Sequence, residues 1–183
     1  MFVLRHWFLT LTLLMLLLAL SCGEEADVEV SEAEIAISQV ITERWQRGYM
    51  TEDLPLYESA YWADGFLYHT DMGTPADPSD DVIFDDIRNE LESAKVVFAR
   101  YQEIEIEVSE PEITLIDDAT ATVRQHYRIE GFVADGTTLE NGKTGWYAEG
   151  DSEFTFEERK TPDGNMEWRI SKWLDKAVSP GEI

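Results

Sequence analysis

One cysteine, Cys22, stands among 183 residues, so no intrachain disulfide can form. Histidine is nearly as scarce: of three, only His69 and His126 lie beyond the first turns of the chain. No cluster of His, Cys and carboxylates has metal-ligand spacing, and there is no Walker loop, dinucleotide fingerprint or nucleophile elbow. Gly131 and Gly136 are too far apart and wrongly placed to cradle a phosphate. No metal and no cofactor is therefore expected. Positive charge is also short, with 14 Lys and Arg against 38 Asp and Glu and a formal charge of -24. Such a surface repels phosphate backbones and anionic headgroups, which excludes nucleic acid as a partner and reads as a solvated exterior. What is present is 44% hydrophobic and 11% aromatic, the composition of a packed globule. The length fits one domain plus an extension, and a domain of about 150 residues folds without staples.

The extension is N-terminal. Arg5 and His6 make a short polar start, and Trp7 to Leu20 is almost wholly apolar, shorter than the roughly 20 residues of a membrane-spanning helix. The run ends in Ala19, Leu20, Ser21, Cys22, which resembles the bacterial lipoprotein box. Ser21 fits that pattern; Ala19 stands where Leu is commoner. The resemblance implies that residues 1–21 are a leader cut before Cys22, whose sulfur and new amino terminus are acylated and so bind the membrane. Residues 22–30 read as an acidic tether, and Gly23 in place of Asp resembles the sorting pattern for the outer membrane. The expected address is the cell envelope, lipid-anchored, on the periplasmic side of the outer membrane in a Gram-negative cell. Losing the leader removes Arg5 and no acid, so the mature chain is one unit more negative.

Ser31 and Glu34 form a capping box, after which Ile37, Val40, Ile41, Trp45 and Tyr49 recur at helical spacing, predicting a helix from about Glu32 to Gly48. Thr51 is the expected cap of a second helix, with Pro55 in its first turn and Leu54, Leu56, Tyr57, Tyr61 and Trp62 as its bulk. Residues 66–71 predict a short strand. Asp77 or Ser79 is the expected cap of a third helix lined by Phe84, Ile87, Leu91, Ala94, Phe98 and Tyr101. The period then changes to two. Ile104, Ile106 and Val108 face one way, and a bulge at Ser109 to Pro111 would bring Ile113 and Leu115 onto the same face. Asp117 and Asp118 turn the chain into a long strand, residues 119–133. Its inner face carries Ala121, Val123, Gln125, Tyr127 and Ile129, and its outer face Arg124, His126 and Arg128, opposite Glu105 and Glu107. Two further strands follow, 145–160 and 166 to about 176, leaving residues 178–183 as a tail. Small Gly150 amid a bulky face reads equally as a bulge or as room for a ligand.

Trp45 to Gly48 closing the first helix, Tyr61 to Gly65 with Phe66 to Tyr68, and Asp163, Gly164, Asn165, Met166, Glu167, Trp168, Arg169, Ile170 resemble motifs of the nuclear transport factor 2-like superfamily, most of all its SnoaL-like branch. The resemblance covers residues 31–177. It implies an α+β fold in which three N-terminal helices pack on a curved antiparallel sheet and enclose a cavity. Ketosteroid isomerase relatives carry a base and two acidic donors there. Carried over, the base position falls on Thr70 with Asp71 next to it, one donor near Trp45 or Gln46, and the other on Ser152 with Asp151 beside it. All three positions depart from the pattern.

The expected lining is Trp45, Tyr49, Tyr68, Thr70, Gln125, Tyr127, Trp146 and Ser152, aromatic walls with a few polar points. Acid–base work needs a group that titrates near the working pH, and none of these does so alone. The leading expectation is binding of a small, largely apolar ligand or a protein partner without catalysis. The alternative is a cyclase, isomerase or dehydratase with Asp71 as general base. His126 reads as a surface residue, and the outer face of the sheet as the surface through which a homodimer would form.

Overall fold

The structure, a computed structural model, describes residues 30–183; the leader, Cys22 and nearly all of the tether lie outside the described residues. The first helix opens as expected. Ser31 Oγ accepts the Glu34 amide at 3.2 Å and the Glu34 carboxylate accepts the Ser31 amide at 2.7 Å, so two orphan donors of the first turn are satisfied reciprocally. The helix runs as α1 (Glu32–Gln39), a π-helical segment (Val40–Gln46) and α2 (Arg47–Met50). Ile37, Val40, Ile41 and Trp45 are its buried residues up to that point.

Gly48 lies inside α2 rather than ending it. A Cβ there would meet the Tyr57 amide at 2.6 Å, so glycine is what lets the next helix cross so closely. That helix, α3 (Leu54–Glu58), is capped by Asp53, which accepts the Leu56 amide at 3.0 Å, and not by Thr51. It is also shorter than expected and stops before Tyr61 and Trp62.

β1 (Leu67–Thr70) falls where the pattern put it. β2 (Val82–Phe84) does not: the sequence pattern gives Phe84 to the third helix, but it pairs antiparallel with Tyr68 on β1. The third helix, α4 (Ile87–Arg100), therefore begins later, at Asp86, whose carboxylate accepts the Arg88 amide at 2.9 Å. β3 (Glu103–Val108), β4 (Glu112–Asp117), β5 (Thr120–Phe132), β6 (Gly145–Lys160) and β7 (Met166–Glu182) complete the chain. The sheet has the order β2-β1-β7-β6-β5-β3, with β4 also on β5. All neighbours are antiparallel except β1 and β7, which run parallel, so the sheet is mixed rather than purely antiparallel. Residues 178–182 are no tail; they continue β7 along β6, Trp146 opposite Glu182.

Three irregularities set which side chains face the helices. Ser109 to Pro111 oppose Gln125 and His126, one residue more than the facing strand, and Ile113 accordingly pairs with Val123 on the same face as Ile106 with Ile129. Ser171 is an extra residue in β7 between the pairs Phe156 with Ile170 and Thr155 with Lys172. A second slip in β7 lies opposite Gly150, between its pairs at Ser179 and Lys176. A Cβ on Gly150 would lie 3.0 Å from the Lys176 carbonyl and 3.4 Å from the Tyr127 hydroxyl, so backbone and phenol occupy that space.

Between helices and sheet the core is largely aromatic. Trp45 stands edge-on to Phe154 and Trp173 at ring separations of 5.4 and 5.7 Å, and Tyr61 to Phe66 at 5.3 Å.

Candidate functional site

Four polar residues lie side by side across the helix-facing side of the sheet. Gln125 on β5 pairs with Ser152 on β6, Ser152 with Asp175 on β7, and Asp175 with Thr70 on β1. Each is no more than 5% exposed. Adjacent strands lie about 4.8 Å apart, so the four form a row of roughly 15 Å. Trp173, Phe154 and Tyr68 flank it on one side and Tyr127 on the other.

Asp175 is the centre of the row. Its Oδ1 accepts Ser152 Oγ at 2.9 Å and Trp173 Nε1 at 2.6 Å, and its Oδ2 accepts the Tyr68 hydroxyl at 3.1 Å. Burial pushes its pKa up to about 6, while Ser152, Trp173, Tyr68 and Tyr127, as donors to the carboxylate, pull the other way. At neutral pH it is therefore mostly an anion with its lone pairs engaged. The phenols of Tyr68 and Tyr127 are held protonated, first by burial and then by the charge of Asp175.

A second buried acid, Glu90, projects from α4. Its Oε1 accepts the Tyr57 hydroxyl at 2.8 Å, which in turn accepts the Tyr61 hydroxyl at 2.7 Å. Burial raises its pKa to about 8, the Tyr57 donor opposes this, and the charge of Asp175 adds to it. Glu90 is thus the neutral partner of the two acids at pH 7. Burial of Glu90, with a smaller contribution from the charge of Asp175, keeps the pair at about one negative charge.

Gln125 contrasts with Asp175. Neither its Nε2 nor its Oε1 has a hydrogen-bond partner among the described residues, and both atoms are shut off from solvent. The Trp146 Nε1 shares that condition.

Of the residues singled out in the sequence, the structure brings Tyr68, Thr70, Gln125, Tyr127 and Ser152 together, with Trp45 packed over them. Tyr49 belongs instead to the Glu90 cluster, edge-on to Tyr57 at 5.1 Å and Phe98 at 5.0 Å. Trp146 is not part of the row: it sits six positions along β6 from Ser152, about 20 Å at the rise of a strand, against Tyr101. Asp71 follows the end of β1, half-buried, and its Oδ1 accepts the Gly73 amide at 2.9 Å in the turn. Thr70 Oγ1 accepts the Met72 amide at 3.2 Å in the same turn.

Sequence reasoning missed both buried acids. For Asp175 a signal existed. The apolar parity of β7 changes from Trp168 and Ile170 to Trp173, and following the new parity points Asp175 inward. Glu90 carries a fainter mark: it falls three residues after Ile87 and four before Ala94, on the apolar face of the helix, where an acid needs a buried partner.

The outer face is a network of charge. Arg124 pairs with Glu153 at 3.1 Å and Arg128 with Glu149 at 2.8 Å, on β6 rather than with the β3 glutamates. His126 is exposed between Asp151 at 2.9 Å and Glu149 at 3.2 Å, which places it on the surface as its parity predicts. No group of three His, Cys, Asp or Glu side chains among the described residues is placed to hold a metal ion.

No protein-family model matches the chain, and no curated protein does. Solved structures do. A conserved protein from Planctomyces limnophilus is 21% identical, with 81% of this chain and 98% of that one aligned at a TM-score of 0.60. A hexachlorocyclohexane dehydrochlorinase of type 3 from Novosphingobium barchaimii is 12% identical over 82% of this chain and 90% of its own, at a TM-score of 0.61. A nuclear transport factor 2-like protein of unknown function from Shewanella oneidensis is 14% identical over 79% and 98%, at 0.52. The chain therefore has the nuclear transport factor 2-like fold, and a fold alone does not fix what a protein does.

Proposed function

We propose that this is a lipid-anchored envelope protein, held through Cys22, whose domain binds a small, largely apolar ligand at the polar row without converting it. The observation that carries this reading is the Gln125 amide, buried with donor and acceptor both uncommitted beside aromatic walls. An unpaired buried amide costs free energy that a ligand's own donor and acceptor would recover. An amide does not titrate, so the free valence of the row suits recognition rather than proton transfer. The ligand class is a neutral, mostly hydrocarbon molecule bearing one amide or lactam group, which offers both a donor and an acceptor. Such compounds are expected to raise the melting temperature of the wild-type protein and to lose that effect on Gln125→Met. If no compound in a panel of that chemistry stabilised the protein, or if the variant responded equally, the reading would fail. Anchoring has its own test: Cys22→Ser abolishes incorporation of labelled fatty acid and releases the protein from the membrane fraction.

A second reading is supported by Asp175, whose pKa of about 6 lies in the range of a general base. In that case the domain is an isomerase, cyclase or dehydratase with Asp175, or Asp71 at the β1 turn, as base. Four donors on one carboxylate leave little room for a substrate proton, so this reading ranks second. Turnover that is lost in Asp175→Asn or in Asp71→Asn, with the fold retained by circular dichroism, would reverse the order.

A further inference from the structure

We infer that the cleft beside the start of α1 is a docking surface for a basic, amphipathic segment of a partner protein. It lies away from the polar row and does not depend on what that row binds. Ala33 and Ala36 on α1, Val40 at the head of the π-helical segment and Trp168 on β7 form its floor, and the cleft holds about 890 Å³. An adjoining hollow of about 400 Å³ runs from Ala33 and Trp168 to Leu115 and Ile116. Leu115 and Ile116 on the hollow are 41% and 60% exposed, and Met166 on the cleft is 55% exposed. Three large apolar side chains on two hollows that share Ala33, Asp118 and Trp168 are not the scattered exposure of an ordinary surface. The origin of the exposure is geometric: Leu115 pairs with Ala121, whose side chain is buried, yet Leu115 itself lies on β4 at the margin of the sheet, where it is left uncovered.

The rim selects the occupant. Glu32, Glu43, Asp118, Glu158 and Glu167 line the cleft against a single cation, Arg44, which is already held by Glu167 at 3.1 Å. The chain's own tether carries Glu24, Glu25, Asp27 and Glu29 and is repelled by that rim. A second copy, with 38 acids against 14 bases, brings the same sign, and so does an anionic bilayer. A segment with apolar residues on one side and Lys or Arg on the other satisfies both features: its apolar side sits on Trp168, Met166 and Leu115, and its cations meet Glu32, Asp118 and Glu158.

The test uses the full chain and a labelled Leu/Lys amphipathic helical peptide, with binding read by fluorescence anisotropy. Its comparators are the same peptide with Glu for every Lys, and a scrambled Leu/Lys peptide with no apolar face. The amphipathic basic peptide is expected to bind, more weakly as salt rises. Asp118→Lys with Glu158→Lys is expected to weaken it by about tenfold or more, and Met166→Gln by a few-fold. Glu105→Lys with Glu107→Lys, the same change of net charge on exposed β3 positions, is expected to leave affinity within about twofold. The inference is overturned if the scrambled peptide binds as well, if the β3 pair weakens binding as much, or if the cleft variants bind normally. It is equally overturned if Met166→Gln instead abolishes binding to phosphatidylcholine or phosphatidylglycerol vesicles, or dissolves a dimer seen by light scattering, because the cleft would then serve a bilayer or a second copy.

Discussion

Replacing Gln125 with methionine should make the ligand-free protein more stable. The native amide is enclosed on β5 with neither end paired, whereas the next polar residues in the row, Ser152 and Asp175, bond each other at 2.9 Å. Leaving a buried polar group unpaired costs about 1–3 kcal/mol, whereas a volume-conserving swap in a packed core costs less than about 1.5 kcal/mol. Methionine matches glutamine in chain length, lacks its forked polar end and is flexible enough to fill the space, so the net gain works out at about 1–2 kcal/mol. For a domain of this size a gain of that order raises the melting temperature by roughly 3–6 °C. Urea unfolding followed by tryptophan fluorescence reads the same quantity as a higher midpoint with an unchanged slope. A fall in midpoint would show that the amide has a partner, such as an enclosed water, whose loss outweighs the gain. The row would then hold a water rather than await a ligand.

Other perturbations separate the two buried acids and the outer face. Glu90 has its folded pKa raised from 4.5 to about 8, so its contribution is present below the unfolded value and is lost as pH rises through the folded one. Glu90→Gln keeps an acceptor for Tyr57 and removes the charge; it should match wild type near pH 4 and exceed it by a few kcal/mol above pH 8, read from chemical denaturation across that window. A difference independent of pH would refute the assignment. Ser152→Ala takes a donor from the Asp175 carboxylate, which should cost about 1.5–3 kcal/mol at pH 7 and move the carboxyl titration, followed by carbon-13 NMR, further up. For His126, the hydrogen bond to Asp151 raises the pKa most, burial opposes it, and the bond to Glu149 then adds to the rise. Its imidazole should titrate above 6.5 by NMR and shift down in Asp151→Asn; any stability it lends is present below pH 6.5 and lost as pH rises through the folded value. Arg124, Arg128 and Lys176 are each paired within one copy, so sheet-to-sheet dimers should be weak, and a dimer mass by light scattering at physiological salt would refute this.

Much of this architecture is legible in the residues. The alternation in residues 121–129 places Gln125 and Tyr127 inward beside Ser152, and Ser31 with Glu34 marks the first helix to the residue. What escapes has local causes. Phe84 fits either an amphipathic helix or a strand, and only its pairing with Tyr68 decides the matter. Thr51 and Asp53 are both competent caps, and the chain uses the one whose carboxylate reaches the Leu56 amide. Trp146 shares a face with Ser152, which alternation reveals, but lies far along the strand, which alternation does not. The length of β7 was hidden because Ser179, Pro180 and Gly181 are turn formers, and it is the long β6 opposite that holds them in a ladder.

Ser171 gives the interior a dependence on counting rather than on identity. It is one surplus residue in β7, and Lys172 to Lys176 beyond it are turned over relative to Trp168 and Ile170, until the second slip restores the first parity. Drawing it into the ladder opposite Thr155, with no bulge, would leave every letter of the strand intact and yet exchange Trp173 and Asp175 for Lys172, Leu174 and Lys176 on the side facing the helices. An anionic interior would become a cationic one without a single substitution. Between two chains of this fold, then, an aspartate at the same place in an aligned last strand can be a buried anion in one and a solvated surface charge in the other.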